Sequence, residues 1–262
     1  MTTATAPTAA PSAVTPRSAR RAVLAAEFRL FLREPGSLAG ILLFPVVLLV
    51  ILGSIPAFRE ADDGLGGLRL VDAYVPVTVL LGMIAGGLQS MPPIITGYRE
   101  RGILRRMSTT PVRPSALLGA QMSLHGVAVL VSAALCLGIG RLAFDVALPR
   151  QLGGYLIALA LAVVVALALG AVVCARAGTT KIASAIGTVV FFPSMFTAGV
   201  WLPVQSMPDA LARIVEVTPF GAAAQALNQA AAGHWPGTVH LLVVAAWAVG
   251  LSAAAARWFR WE

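Results

Sequence analysis

Charge is scarce in this chain: Asp, Glu, Lys and Arg make up 11% of its 262 residues, against about 25% in a soluble domain. So few charges cannot cover a water-facing surface, and with 58% hydrophobic residues the chain must meet lipid. Lysine occurs once, as Lys181 in "GTTKIA". A phosphate-binding loop needs its lysine within G-K-[ST], so no nucleotide site is expected here. The two cysteines, Cys136 and Cys174, stand in apolar runs without CxxC spacing. They read as small buried hydrophobes, neither a metal site nor a disulfide. No carboxylate falls inside the long apolar runs, and neither G-x-S-x-G nor H-E-x-x-H occurs. A membrane protease or hydrolase would need such groups at membrane depth, so an enzyme is not expected. Asp62, Asp63 and Asp72 are external, and "EADDGLGG" reads as a turn.

What is present is six stretches free of Asp, Glu, Lys and Arg: 37–57, 74–97, 115–140, 152–175, 182–202 and 238–256. Each is close to the ~20 residues that an α-helix needs to cross a ~30 Å hydrocarbon core. Backbone in lipid must satisfy its own hydrogen bonds, which leaves helices or closed barrels. "LIALALAVVVALALGAVV" (156–173) lacks the alternation of a barrel strand. The expected fold is all-α, a polytopic protein with six transmembrane helices. Residues 1–16, rich in Thr, Ala and Pro, are expected to form a disordered tail. The first apolar run is longer than the core of a cleavable signal peptide and is expected to be a retained helix.

Lysine and arginine choose the orientation. Fourteen fall in the amino-terminal segment, the loop after span 2, the loop after span 4 and the tail, against five in the opposite loops. Positive residues near span ends stay cytoplasmic, so both termini are expected to face the cytoplasm of a bacterial plasma membrane. The net charge of +8 then marks orientation and suits anionic lipid headgroups. No basic soluble domain exists to carry nucleic acid. The spans hold no ionisable side chain except His125 and His240. An ion-coupled carrier usually keeps such groups at membrane depth, and a lone buried histidine is usually satisfied by a neighbouring helix. That carrier, or a membrane anchor or immunity protein that moves nothing, is the alternative to a pump.

The loop after span 2, "YRERGILRRMSTTPVRP" (98–114), carries five arginines and one glutamate. Positive-inside charge accounts for its basicity, but not for its order. "YRERGILRRM" suits a short helix with Ile103, Leu104 and Met107 on one flank and Arg101, Arg105 and Arg106 elsewhere. Pro111 and Pro114 then stop it. Such a stub suits docking on another protein. Residues 17–35 suit an amphipathic interfacial helix: at about 100° per residue Leu24, Phe28 and Phe31 fall within roughly 60°, while Arg29 and Arg33 point away. Its apolar side would face lipid and its arginines the headgroups.

These segments resemble the permeases of type-2 ATP-binding-cassette (ABC) transporters, including the daunorubicin-resistance-like exporters. Glu100, Arg101, Gly102, Leu104, Arg105, Arg106, Thr110 and Pro111 resemble the family's charged stretch between spans 2 and 3. "LPVQSMPDALARIVEVTPFGAAAQAL" (202–227) is similar to its external segment before the last span. The resemblance implies that residues 99–107 form the coupling helix, fitting a groove on an ATP-binding subunit. Arg99, Glu100 and the other arginines would make charge-assisted hydrogen bonds there, Ile103 and Leu104 would fill the groove, and Gly102 would allow close backbone approach. It further implies two ATP-binding subunits carrying ATP and Mg, and a second permease copy, a homodimer sooner than a heterodimer. No cofactor is expected in this chain. A hydrophobic drug, antibiotic, lipid or glycan-like substrate would pass along spans 2 and 5, past Met83, Gln89, Ser90, Phe191, Phe192, Met195, Phe196 and Trp201. The span 5 aromatics suit ordinary helix packing or lipid contact equally well. Two external helices, split at Thr218–Pro219, would dip back toward the membrane and cap the exit.

Overall fold

The computed structural model describes residues 16–62, 67–107 and 114–259. Among the described residues six helices are long and apolar enough to cross a membrane: Pro35–Ser54, Leu70–Glu100, Leu117–Phe144, Leu152–Arg176, Thr180–Thr197 and Thr238–Trp258, here spans 1 to 6. An amino-terminal helix, Pro16–Phe31, precedes them, and a stub, Ile103–Met107, joins spans 2 and 3. The all-α expectation holds, with one two-stranded hairpin in which Ala61–Asp62 pairs with Leu68–Arg69. The expected tail lies outside the described residues but for Pro16, which opens the amino-terminal helix. Cys136 and Cys174 are buried and unpaired.

Span 2 outruns its charge-free stretch at both ends. At the outer end Asp72 accepts from the Arg69 backbone N–H at 3.3 Å and from its guanidinium at 2.9 and 2.7 Å, closing a cap on the first turn. That guanidinium, held above its ordinary pKa chiefly by the Asp72 bond, also donates to the carbonyls of Phe144 and Asp145, both at 3.2 Å. The hairpin is thereby tied to the end of span 3.

The bundle is built around span 2, of which 89% of the most apolar window is buried, against 22%, 22% and 17% for spans 1, 5 and 6. Its middle, "GMIAGGLQS", removes side chains where neighbours must come close. A methyl group at Gly86 would meet Val129 of span 3 at 2.6 Å. One at Gly87 would overlap the Ala166 carbonyl of span 4, and one at Gly170 of span 4 would overlap the Gly87 carbonyl in return. Span 5 approaches likewise, because a methyl at Gly187 would lie 2.5 Å from the Leu88 carbonyl. Over this seam, Ala85–Ser90, the helix winds as a π-turn. Pro92 and Pro93 follow directly at the start of the α-helical stretch Met91–Glu100, inside the same continuous helix. The proline pair is therefore accommodated by the turn before it, without ending the span. Span 1 has its own π-turn at Ala39–Leu43, where the Ile41 carbonyl accepts the Ser132 hydroxyl of span 3 at 2.6 Å. Span 5 runs through Pro193 as one helix.

The outer segment forms two helices, Asp209–Glu216 and Pro219–Ala231. Thr218 caps the second by accepting from the Gly221 N–H at 3.2 Å. Phe220, Ala222, Ala223, Leu227 and Ala230 of that helix are buried against the bundle.

The seam yields a paired prediction. Gly170→Ala lowers unfolding stability by about 1–3 kcal/mol, the usual penalty of overpacking. Gly250→Ala in span 6, where a methyl meets nothing within 4 Å, leaves stability unchanged or raises it by up to ~1 kcal/mol through helix propensity. Thermal unfolding followed by circular dichroism in one detergent checks both.

Candidate functional site

The basic connector between spans 2 and 3 is where the chain's charges are most organised. Span 2 ends at Glu100, and Gly102 turns the backbone at φ 64 before the stub Ile103–Met107 begins. A methyl at Gly102 would meet nothing within 4 Å, so close approach is not the reason for glycine here. The left-handed turn is the reason, since L side chains rarely adopt it.

Arg99 and Glu100 reach the bundle's own helices, Glu100 remaining exposed. They grip the turn between spans 4 and 5. Arg99 Nη1 donates to the carbonyls of Cys174 and Ala177, both at 2.9 Å, and its guanidinium lies over the Phe259 ring at 5.6 Å. Glu100 accepts from the Thr180 backbone N–H at 3.1 Å and from the Thr180 hydroxyl at 2.6 Å. The logic is that of helix ends. Span 4 finishes with unpaired carbonyls and a partial negative charge, which suit a cation. Span 5 starts with unpaired N–H groups and a partial positive charge, which suit a carboxylate. Two consecutive residues of span 2 thus read two opposite poles a few residues apart.

The rest of the connector divides by direction. Leu104 turns inward, 3% exposed, and packs with Ile94, Tyr98 and Leu117, with Ile103 and Val23 at the margin. It does not present itself to fill a partner's groove. Arg101 donates to the Gly97 carbonyl at 3.1 Å and lies over the Tyr98 ring at 5.7 Å. Arg106 donates to the Arg101 carbonyl at 3.2 Å, and Arg101, Arg105 and Arg106 are all exposed. Thr110 and Pro111 lie outside the described residues.

The amino-terminal helix divides its apolar stripe. Leu24 and Phe28 are exposed, as are Arg29 and Arg33, but Phe31 is buried with its ring edge-on to His125 at 5.1 Å. The inward residues are Val23, Glu27 and Phe31, spaced by four. Glu27, unnoticed among "LAAEFRLF", accepts from the Tyr98 hydroxyl at 2.7 Å and from Gln121 Nε2 at 2.6 Å. Its spacing to Val23 and Phe31 was the available signal. His125 is fully satisfied, with Nδ1 against the Gln121 carbonyl at 2.9 Å and Nε2 against the Ser90 hydroxyl at 3.3 Å.

The residues expected along a pathway do not form one surface. Met83 is fully buried inside the bundle, Ser90 is occupied by His125, and Met195 is buried, while Gln89 is partly exposed. The outer aromatics do meet: Phe192 stacks on Trp201 at 16° and 6.4 Å, Phe196 lies 6.4 Å from Trp201, and Phe191 is edge-on to Phe192 at 5.9 Å. Phe192 and Trp201 are each 54% exposed.

If the Glu100 cap is as described, Glu100→Ala makes the amides at 181–184 exchange hydrogen several-fold faster, while Glu100→Asp has a smaller effect. Hydrogen exchange of the purified chain in lipid nanodiscs measures this.

A family model described as "ABC-2 type transporter" matches residues 19–231. No match of significance is found among curated proteins. A match that begins within the amino-terminal helix and runs through the connector and both outer helices covers most of the chain, which therefore belongs to the ABC-2 type transporter family as a membrane-spanning permease component, of the kind that works with separate ATP-binding subunits.

Proposed function

We propose that this chain is the permease subunit of an ATP-driven exporter in the bacterial plasma membrane, with both termini cytoplasmic. It pairs with a second copy of itself and with two ATP-binding subunits, which carry ATP and Mg. The substrate is hydrophobic or amphipathic, in keeping with the exposed Phe192–Trp201 stack near the outer end of span 5. Export of an antibiotic or a lipid-like molecule, as in the daunorubicin-resistance-like exporters, fits this character.

One observation carries the reading: exposed Arg105 and Arg106 sit on a short stub, with exposed Arg101 just before it, and the root of that stub is bolted to the bundle. Exposed cations offer charge-assisted bonds to acidic groups of an ATP-binding subunit. The bolted root gives such a contact leverage. A push on the stub passes through Arg99 and Glu100 to the end of span 4 and the start of span 5, as well as along span 2. Span 5 borders the seam at Leu88, so its displacement changes packing at the centre of the bundle. Coupling of this kind requires two states that both the nucleotide and the substrate bias.

The test is copurification. Arg105→Glu/Arg106→Glu reduces the recovered ATP-binding subunit by about tenfold or more, because reversed charges repel the partner's carboxylates. The same substitutions leave thermal unfolding of the permease alone unchanged. Full recovery of the ATP-binding subunit with both charges reversed would rule the stub out as its docking point.

A further inference from the structure

Among the described residues Glu27 is the sole buried carboxylate, 7% exposed. Burying a carboxylate is unfavourable unless donors meet it. Here two converge on the same oxygen, Oε2: the Tyr98 hydroxyl at 2.7 Å and Gln121 Nε2 at 2.6 Å. Tyr98 belongs to the last turn of span 2, directly before Arg99 and Glu100, and Gln121 to the cytoplasmic end of span 3. Apolar packing surrounds the bond pair. Ile94, Tyr98, Leu104 and Leu117 form one buried cluster, against which Val23 of the amino-terminal helix and Ile103 of the stub are placed. The amino-terminal helix therefore meets three consecutive segments, the end of span 2, the stub and the start of span 3, at one knot, and Glu27 supplies its directional bonds. An apolar residue at position 27 would add buried area but would fix no register, because hydrophobic contact is not directional.

We propose that Glu27 is a positioning residue that fastens the amino-terminal helix to the root of the connector, so that this helix, the end of span 2, the stub and the start of span 3 move as one body. The amino-terminal helix is then part of the coupling machinery through protein contacts, besides any contact with lipid through Leu24 and Phe28. The significance for transport rests on the proposed docking of an ATP-binding subunit at the stub, but the fastening itself is tested on the permease alone.

The experiment is hydrogen exchange of the full-length chain in lipid nanodiscs, read separately over residues 20–31 and 103–107. Glu27→Ala speeds exchange by about tenfold in both segments, since local opening follows the bonds lost. Glu27→Gln keeps an acceptor oxygen and stays within about twofold of the parent in both. Spans 4 and 6 exchange as before in each variant. The proposal is overturned if Glu27→Ala loosens 20–31 alone or neither segment, or if Glu27→Gln loosens both as much as Glu27→Ala. Where Glu27→Ala does not fold, Tyr98→Phe decides, because it removes one bond and keeps the ring: faster exchange in both segments supports the fastening, and parental exchange in both overturns it. None of these readouts involves the ATP-binding subunit, so their failure is distinct from a failure of copurification.

Discussion

The close contact of backbones at the middle of span 2 is the constraint on which the rest of the molecule depends. Lipid offers helices no hydrophobic incentive to associate, so packing distance and polar contact must hold them together. Gly86, Gly87, Gly170 and Gly187 let span 2 approach spans 3, 4 and 5 until a single methyl would collide with a neighbour. A helix surrounded on so many sides cannot translate independently. Any motion delivered to its Glu100 end is shared with the helices that touch the seam.

The π-turn at Ala85–Ser90 belongs to the same solution. A wider turn rotates the residues that follow it, and it is succeeded at once by Pro92 and Pro93. Thr96 returns its hydroxyl to the Pro92 carbonyl at 2.8 Å, so the segment after the prolines remains satisfied. From there the helix descends without interruption to Tyr98, Arg99 and Glu100. Span 2 is thus continuous from the Arg69–Asp72 cap to the Arg99–Glu100 clasp, and it links the two ends of the bundle through one helix.

Much of this was legible in the sequence, for a definite reason. Lipid forbids charges in an uninterrupted span, so the charge-free runs located six helices, and Thr218–Pro219 divided the outer pair. The connector stood out because arginines cluster there without apolar cover. Other features were hidden because they depend on partners far along the chain. The bonds that Glu100 makes to Thr180, eighty positions later, have no signal in its own stretch of sequence. Glu27 breaks the apolar count of its helix, and the residues that justify its burial are Tyr98 and Gln121. Of the stripe Leu24, Phe28 and Phe31, the first two stay exposed as a lipid-facing side would, while Phe31 turns inward one helical turn from the carboxylate that reaches two donors. Hydrophobic periodicity weighs area and is blind to a specific bond.

The division of labour within the connector follows from charge sign and helix polarity together. A turn joining two antiparallel helices presents a negative pole and a positive pole side by side, and a neighbouring Arg–Glu pair is the smallest element that complements both. Reversing that order would set the cation against the amides of span 5 and the carboxylate against the carbonyls of span 4. Arg99 and Glu100 are therefore fixed in sequence by what they hold. Arg101, Arg105 and Arg106, which continue the same charged run beyond the span, are exposed, and the bonds described for Arg101 and Arg106 stay within the connector and the end of span 2. A basic run that reads as uniform along the chain is two devices in space, an inward clasp and an outward face, and only the second has its charges turned toward the surroundings of the bundle.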